Sequence, residues 1–147
     1  MTMNDRLIGR RSNIYYHGTA PSSLPGIAKD GLLANPPSTN WSPGHSKKCV
    51  YLAVSTEYAY RWGGVGMYRR DGSREKGDAI VLKVDLNTLS GEVCVDGNND
   101  DRDYMGPTWE YWNDIPPEHI YVEAGRDYDN EDYNNDGYFW KPIREGE

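Results

Sequence analysis

The stretch NIYYHGTAPSSLPGIAKDGLL, residues 13–33, decides the fold because it joins an apolar segment, a His-Gly-Thr turn and a helix signal. The segment 14–17 is rich in residues that favour strands, so it predicts a β-strand. A short helix is predicted over residues 22–30, with Gly31 as its exit. A glycine follows His17, and this can bring a ligand close to the backbone or simply begin a turn.

The rest of the chain predicts more strands than helices. A second short helix is predicted at residues 55–62, and the glycine-rich, charged segment 63–77 predicts a loop. Further strands are predicted at CVYLAV (49–54), AIVLKVDL (79–86), TWEYW (108–112), HIYVEAG (119–125) and YFWKPI (138–143). We therefore expect one α+β domain over residues 1–147, with a flexible segment at 1–12 and an acidic loop at 127–137.

The composition predicts a cytoplasmic protein that is not bound to a membrane. No run of about 18 apolar residues is present, and the first 13 residues lack the apolar stretch of a signal peptide. The chain has two cysteines, Cys49 and Cys94, and no CxxC motif. A disulfide between Cys49 and Cys94 is one alternative, but two reduced thiols are favoured in a cytoplasmic protein. Structural zinc is not expected. We expect a monomer.

The charge is unevenly distributed along the chain. Residues 1–85 contain 12 Lys and Arg against 7 Asp and Glu, a net +5, whereas residues 86–147 contain 4 against 16, a net −12. An acidic chain is a poor general binder of nucleic acid, but a local basic face can still hold a phosphate.

Four segments, in this order, resemble the ADP-ribosyltransferase superfamily: YYHGT, KKCVYLAVSTEYAYRW, GDAIVLKVDL and TWEYWNDIPPEHI. The resemblance covers roughly residues 13–122. It implies two small antiparallel sheets and short helices around a cleft that binds NAD as a substrate. Small free-standing transferases of this kind resemble bacterial or phage effectors or toxins.

The resemblance implies a binding set for NAD. His17 would bind a ribose hydroxyl of the adenosine half, and Gly18, with Thr19 beside it, would present backbone N–H and C=O groups to the nicotinamide carboxamide. Tyr51 would stack on the nicotinamide ring. Ser55 would reach the same carboxamide.

The resemblance implies a catalytic set of three residues, in which Glu110 in TWEYW would be the third after His17 and Tyr51. Glu118 in IPPE competes for this role, but IPPEHI looks like the segment that follows the catalytic strand in the family. Glu110 would stabilise the positive charge that grows on the anomeric carbon as nicotinamide leaves, which parallels glycoside hydrolysis.

Two positions depart from relatives of known acceptor type. Thr108 stands where arginine-modifying members carry Glu or Gln, and Tyr16 stands where RNA 2′-phosphotransferases place Arg. The predicted recognition loop, residues 96–108, carries four acidic groups among its five charged residues, so a protein or small-molecule acceptor is favoured over nucleic acid. The alternatives are an NAD-dependent RNA 2′-phosphotransferase, a nucleic-acid ADP-ribosyltransferase, or an inactive NAD- or nucleotide-binding module.

No metal is expected. DYNNDG (132–137) fits the opening of a calcium loop, but its twelfth position is Ile143 rather than Glu, which favours an acidic turn. His17, His45 and His119 do not have the spacing of a zinc site.

Overall fold

The computed structural model describes residues 13–34, 49–69, 71–89, 93–95, 109–126 and 138–144. Within these ranges the strands are β1 (Ile14–Thr19), β2 (Val50–Leu52), β3 (Ile80–Asp85), β4 (Val93–Val95), β5 (Trp109–Tyr111), β6 (Ile120–Arg126) and β7 (Tyr138–Pro142). The α-helices are α1 (Leu24–Asp30) and α2 (Thr56–Gly66), and single 3-10 turns lie at Pro21–Ser23 and Pro117–His119.

The strands form two antiparallel sheets. The larger sheet has the order β1-β3-β6-β7, and the smaller sheet has the order β2-β5-β4. The predicted α+β class, with two small antiparallel sheets and short helices, is confirmed at this level.

The main core lies on one face of each sheet. Strand β3, between β1 and β6, buries Leu82 and Val84 in it, and the smaller sheet contributes Leu52 and Tyr111. Since side chains alternate along a strand, Val81 lies on the opposite face of β3, where it packs with Ala53 and Ala59 in a separate cluster. Strand β3 is therefore covered on both faces, as its nearly continuous apolar run predicts.

Helix α2 approaches β1 at two glycines. A Cβ built on Gly18 would lie 1.8 Å from the carbonyl oxygen of Ala59, and one built on Gly63 would lie 3.0 Å from the Cα of Gly18. The glycine after His17 thus has a packing reason that the sequence does not reveal, since any side chain there would push the helix away from the strand.

The sequence prediction is wrong at the end of α2 and omits β4. Residues 63–66 are helical rather than part of a loop, because the close contact of Gly63 with β1 outweighs the poor helix propensity of glycine. Strand β4 has three residues, which is shorter than the run of four to eight that a strand pattern needs.

The sheet order also settles the disulfide alternative. Cys94 lies on β4 and Cys49 directly precedes β2, with β5 between these two strands. Strands two apart in a sheet are separated by about 9.5 Å. Because a disulfide needs Cα atoms within about 7 Å, the two cysteines do not pair within one chain.

Several predicted features lie outside the described residues: the segment 1–12, His45, the recognition loop 96–108 and the acidic loop 127–137. Of the helices in the described ranges, none has both the length and the apolar character required to cross a membrane.

Two neighbouring glycines of α2 should respond oppositely to alanine. Gly63→Ala places a Cβ 2.9 Å from that of Ala79. Overpacking of this kind costs about 1–3 kcal/mol, and the gain in helix propensity returns only about 1 kcal/mol, so this variant should lower the free energy of unfolding. Gly64 has no atom within 4 Å of a built Cβ, so Gly64→Ala should stabilise by about 0.5–1 kcal/mol. Urea unfolding of both variants measures the two changes, and a stabilising Gly63→Ala would contradict this packing.

Candidate active site

The two sheets meet where β1 passes the end of β2. Tyr16 donates its backbone N–H to the carbonyl of Ala53 at 2.9 Å, and Ala53 donates to the carbonyl of Tyr16 at 2.7 Å. One residue further along β1, Nδ1 of His17 lies 2.7 Å from the carbonyl oxygen of Tyr51. The histidine ring therefore contacts the backbone of Tyr51, the second residue of the predicted NAD-binding set.

This contact determines which nitrogen of His17 carries the proton. A carbonyl oxygen only accepts hydrogen bonds, so Nδ1 must donate. Burial of the ring lowers the pKa of His17, and the hydrogen bond to Tyr51 only partly opposes that effect. At neutral pH the ring is therefore uncharged, and Nε2 has no proton and can accept a hydrogen bond from a hydroxyl group.

On the side of β2, the backbone groups of Gly18 have no backbone partner among the described residues. Along an antiparallel strand, N–H and C=O groups point alternately to the two sides, so Gly18 directs its groups toward the β2 side, as Tyr16 does. A continued ladder would pair Gly18 with Tyr51. The bridge at Tyr16 is isolated, however, and the Tyr51 carbonyl binds His17, so no backbone of the described residues pairs with Gly18 on that side.

Glu110 lies directly opposite Tyr51 in the β2–β5 register. Directly opposite residues present their side chains on the same face of a sheet. The neighbours Val50, Leu52 and Tyr111 belong to the main core, so Tyr51 and Glu110 occupy the other face. Glu110 is only 5% exposed there, which makes it one of the few buried polar or charged residues of the described ranges.

The remaining members of the predicted set, Thr19 and Ser55, flank this centre. Thr19 is buried at the end of β1. Ser55 precedes α2, and its Oγ accepts the N–H of Tyr58 at 3.2 Å, so it caps the helix. The hydroxyl proton of Ser55 is still able to donate.

Glu118, the competitor of Glu110, occupies a different place. It is exposed on the 3-10 turn before β6 and belongs to neither sheet. The structure thus brings His17, Tyr51 and Glu110 together on adjoining strands and leaves Glu118 out.

Sequence reasoning missed Asp114, which follows Glu110 by four residues in the chain. Its Oδ1 accepts the backbone N–H of Ala34 at 2.7 Å. No local motif marks this contact, because the partners are 80 residues apart. Among the described residues, no group of three or more His, Cys, Asp or Glu side chains is arranged to hold a metal ion.

No family model matches the chain, and a search of curated proteins finds no match either. Functional inference therefore depends on the geometry of the site and on the resemblance of its motifs.

The lowered pKa of His17 predicts a measurable pH dependence. In the unfolded chain His17 takes up a proton near pH 6.5, whereas the folded protein does so only at lower pH. As the pH falls through this interval, the unfolded state binds more protons, so the free energy of unfolding decreases. NMR titration of the His17 ring in the folded protein should show a midpoint below 6.5, and His17→Asn should lose this contribution to the pH dependence. A midpoint at or above 6.5 would contradict the assignment of a neutral ring.

Proposed function

We propose that the protein is a mono-ADP-ribosyltransferase with an ADP-ribosyltransferase-like fold. It cleaves NAD at the nicotinamide–ribose bond in a cleft between the sheets and transfers ADP-ribose to an acceptor. The observation that carries the proposal is the backbone edge of Gly18, which has no backbone partner among the described residues on the β2 side and lies beside the Tyr51–Glu110 pair.

The Gly18 edge matches the chemistry of a carboxamide. One backbone N–H and one C=O, side by side, complement the carbonyl and the NH₂ of the nicotinamide amide group. A ligand amide would take the place that Tyr51 leaves vacant in the ladder. The ring of Tyr51 then offers a flat face for nicotinamide, and Nε2 of His17 accepts a ribose hydroxyl.

Glu110 supplies the charge that the reaction requires. As the bond between C1′ and the nicotinamide nitrogen breaks, its electron pair neutralises the pyridinium ring and positive charge develops on the ribose. The Glu110 carboxylate accepts a hydrogen bond from the ribose 2′-hydroxyl and stabilises that charge. Because the carboxylate is held in a buried position before the reaction, its stabilisation costs little reorganisation. The acceptor then bonds to C1′ and loses a proton.

Substitution of the two candidate glutamates tests this assignment. Glu110→Gln should keep NAD affinity within a few-fold but slow nicotinamide release at least ~100-fold, because the interaction strengthens in the transition state. Glu118→Gln is the matched control and should change turnover little. Calorimetry with NAD and a nicotinamide-release assay, run with lysate as the acceptor source, give both quantities.

Two results would count against the proposal. Wild-type protein that neither binds nor turns over millimolar NAD would refute the NAD-dependent function. A large loss of turnover in Glu118→Gln, with normal turnover in Glu110→Gln, would show that Glu118 and not Glu110 supplies the catalytic carboxylate.

The acceptor is proposed to be a protein or a small molecule. The acidic groups of residues 96–103 would repel a polyanionic backbone by on the order of 1 kcal/mol per close pair. Lysate labelled with radioactive NAD should therefore lose its macromolecular label to protease, or show label only in small products. Label that survives protease but becomes small after nuclease would indicate a nucleic-acid acceptor.

A further inference from the structure

The chain that leaves β5 is clamped to the chain that leaves α1. Leu32 donates its N–H to the carbonyl of Ile115 at 2.9 Å, and Ile115 donates to the carbonyl of Leu32 at 2.8 Å. Beside this pair, Ala34 donates its N–H to Oδ1 of Asp114 at 2.7 Å. The third bond of the clamp thus ends on a side chain rather than on backbone.

The clamp is closely packed. Leu32 and Ile115 both lie in the main core. Gly31, with φ of +81°, passes so near that a Cβ on it would lie 2.0 Å from the carbonyl oxygen of Ile115. Ala34 is also buried, so its N–H needs an acceptor, and the Asp114 carboxylate supplies one.

The position of Glu110 depends on what holds the ends of its strand. Strand β5 is three residues long, and its two neighbours in the sheet are equally short. A ladder of this length constrains a central side chain weakly. Asp114 follows Glu110 by four residues, so the clamp fixes the exit of β5 at close range.

The clamp also completes a closed path around the site. Strand β1 contacts β2 through Tyr16 and Ala53, and β2 pairs with β5. The clamp then joins the exit of β5 to the exit of α1, which itself follows β1 in the chain. A change at the clamp would therefore act on β5, the strand that carries Glu110.

We propose that Asp114 is a positioning residue that sets the placement of Glu110 through its hydrogen bond to Ala34. This inference rests on the proposed transferase function. Misplacement of a catalytic group by about 1 Å can cost ~100-fold in rate. Gly18 and Tyr51, which would hold the nicotinamide, lie on β1 and β2, and none of the three clamp bonds ends on either strand. Loss of the bond should therefore lower kcat ~10- to 100-fold and leave KM for NAD within about threefold.

Comparison of Asp114→Ala with Asp114→Asn separates the hydrogen bond from the charge. Asparagine keeps an Oδ1 acceptor for the Ala34 N–H, so its kcat should stay within about threefold of wild type. Asp30→Ala is the control, since it removes an exposed carboxylate from the other side of the clamp, at the end of α1. Steady-state nicotinamide release gives kcat and KM. Hydrogen exchange of the backbone amides at 109–115 reports on the clamp without activity and should be faster in Asp114→Ala alone.

Each outcome decides the proposal. Wild-type kcat in Asp114→Ala, or an equal loss in Asp114→Asn, would overturn it, because the hydrogen bond would then be irrelevant. If wild-type protein does not turn over NAD, the proposed function fails, but the exchange data still test the role of Asp114 in the clamp. Unchanged amide exchange in Asp114→Ala would then overturn that role. If Asp114→Ala does not fold, Asp114→Ser, whose side chain is one bond shorter, replaces it with the same expected results.

Discussion

The hydrogen bond from Nδ1 of His17 to the carbonyl of Tyr51 is the interaction on which the candidate site depends. It joins the two sheets just beyond the backbone bridge between Tyr16 and Ala53. It also occupies the carbonyl that a continued β1–β2 ladder would use. The sheets are consequently joined by a side-chain contact one residue beyond their backbone bridge, and the backbone groups of Gly18 are directed toward β2.

Burial and hydrogen bonding combine to fix the chemistry of this junction. Because desolvation lowers the pKa of His17, the ring stays neutral, with a donor directed to the protein and an acceptor available for a ligand. Across the short β2–β5 ladder, Tyr51 and Glu110 lie on the face opposite the core. An aromatic ring, a buried carboxylate and a backbone edge without a backbone partner among the described residues are thus adjacent, and this combination supports the proposal of a substrate with a flat amide-bearing ring next to a sugar.

The sequence predicts the parts of this arrangement that are encoded locally. The apolar runs predict β1 and β3, and Ser55 and Gly31 mark one end of each helix. The prediction of His17, Tyr51 and Glu110 as catalytic residues depends on their order along the chain and on the family resemblance. Contacts between distant segments leave no local pattern: the approach of Gly63 to Gly18 makes 63–66 helical, and Asp114 binds Ala34 from 80 residues away. Strand β4, which no local pattern predicts, pairs with β5.

The proposed entry of NAD at the junction of β1, β2 and β5 is tested most directly by the backbone amide shifts of the ¹⁵N-labelled protein. Titration with NAD should move the amides of residues 17–19, 51–55 and 109–111 most, with Gly18 among the largest changes because its N–H acquires a partner. Amides of the exposed turn 71–74 should stay near their free positions and serve as the internal reference. Saturable shifts centred on that turn, with residues 17–19 and 51–55 unmoved, would contradict the account.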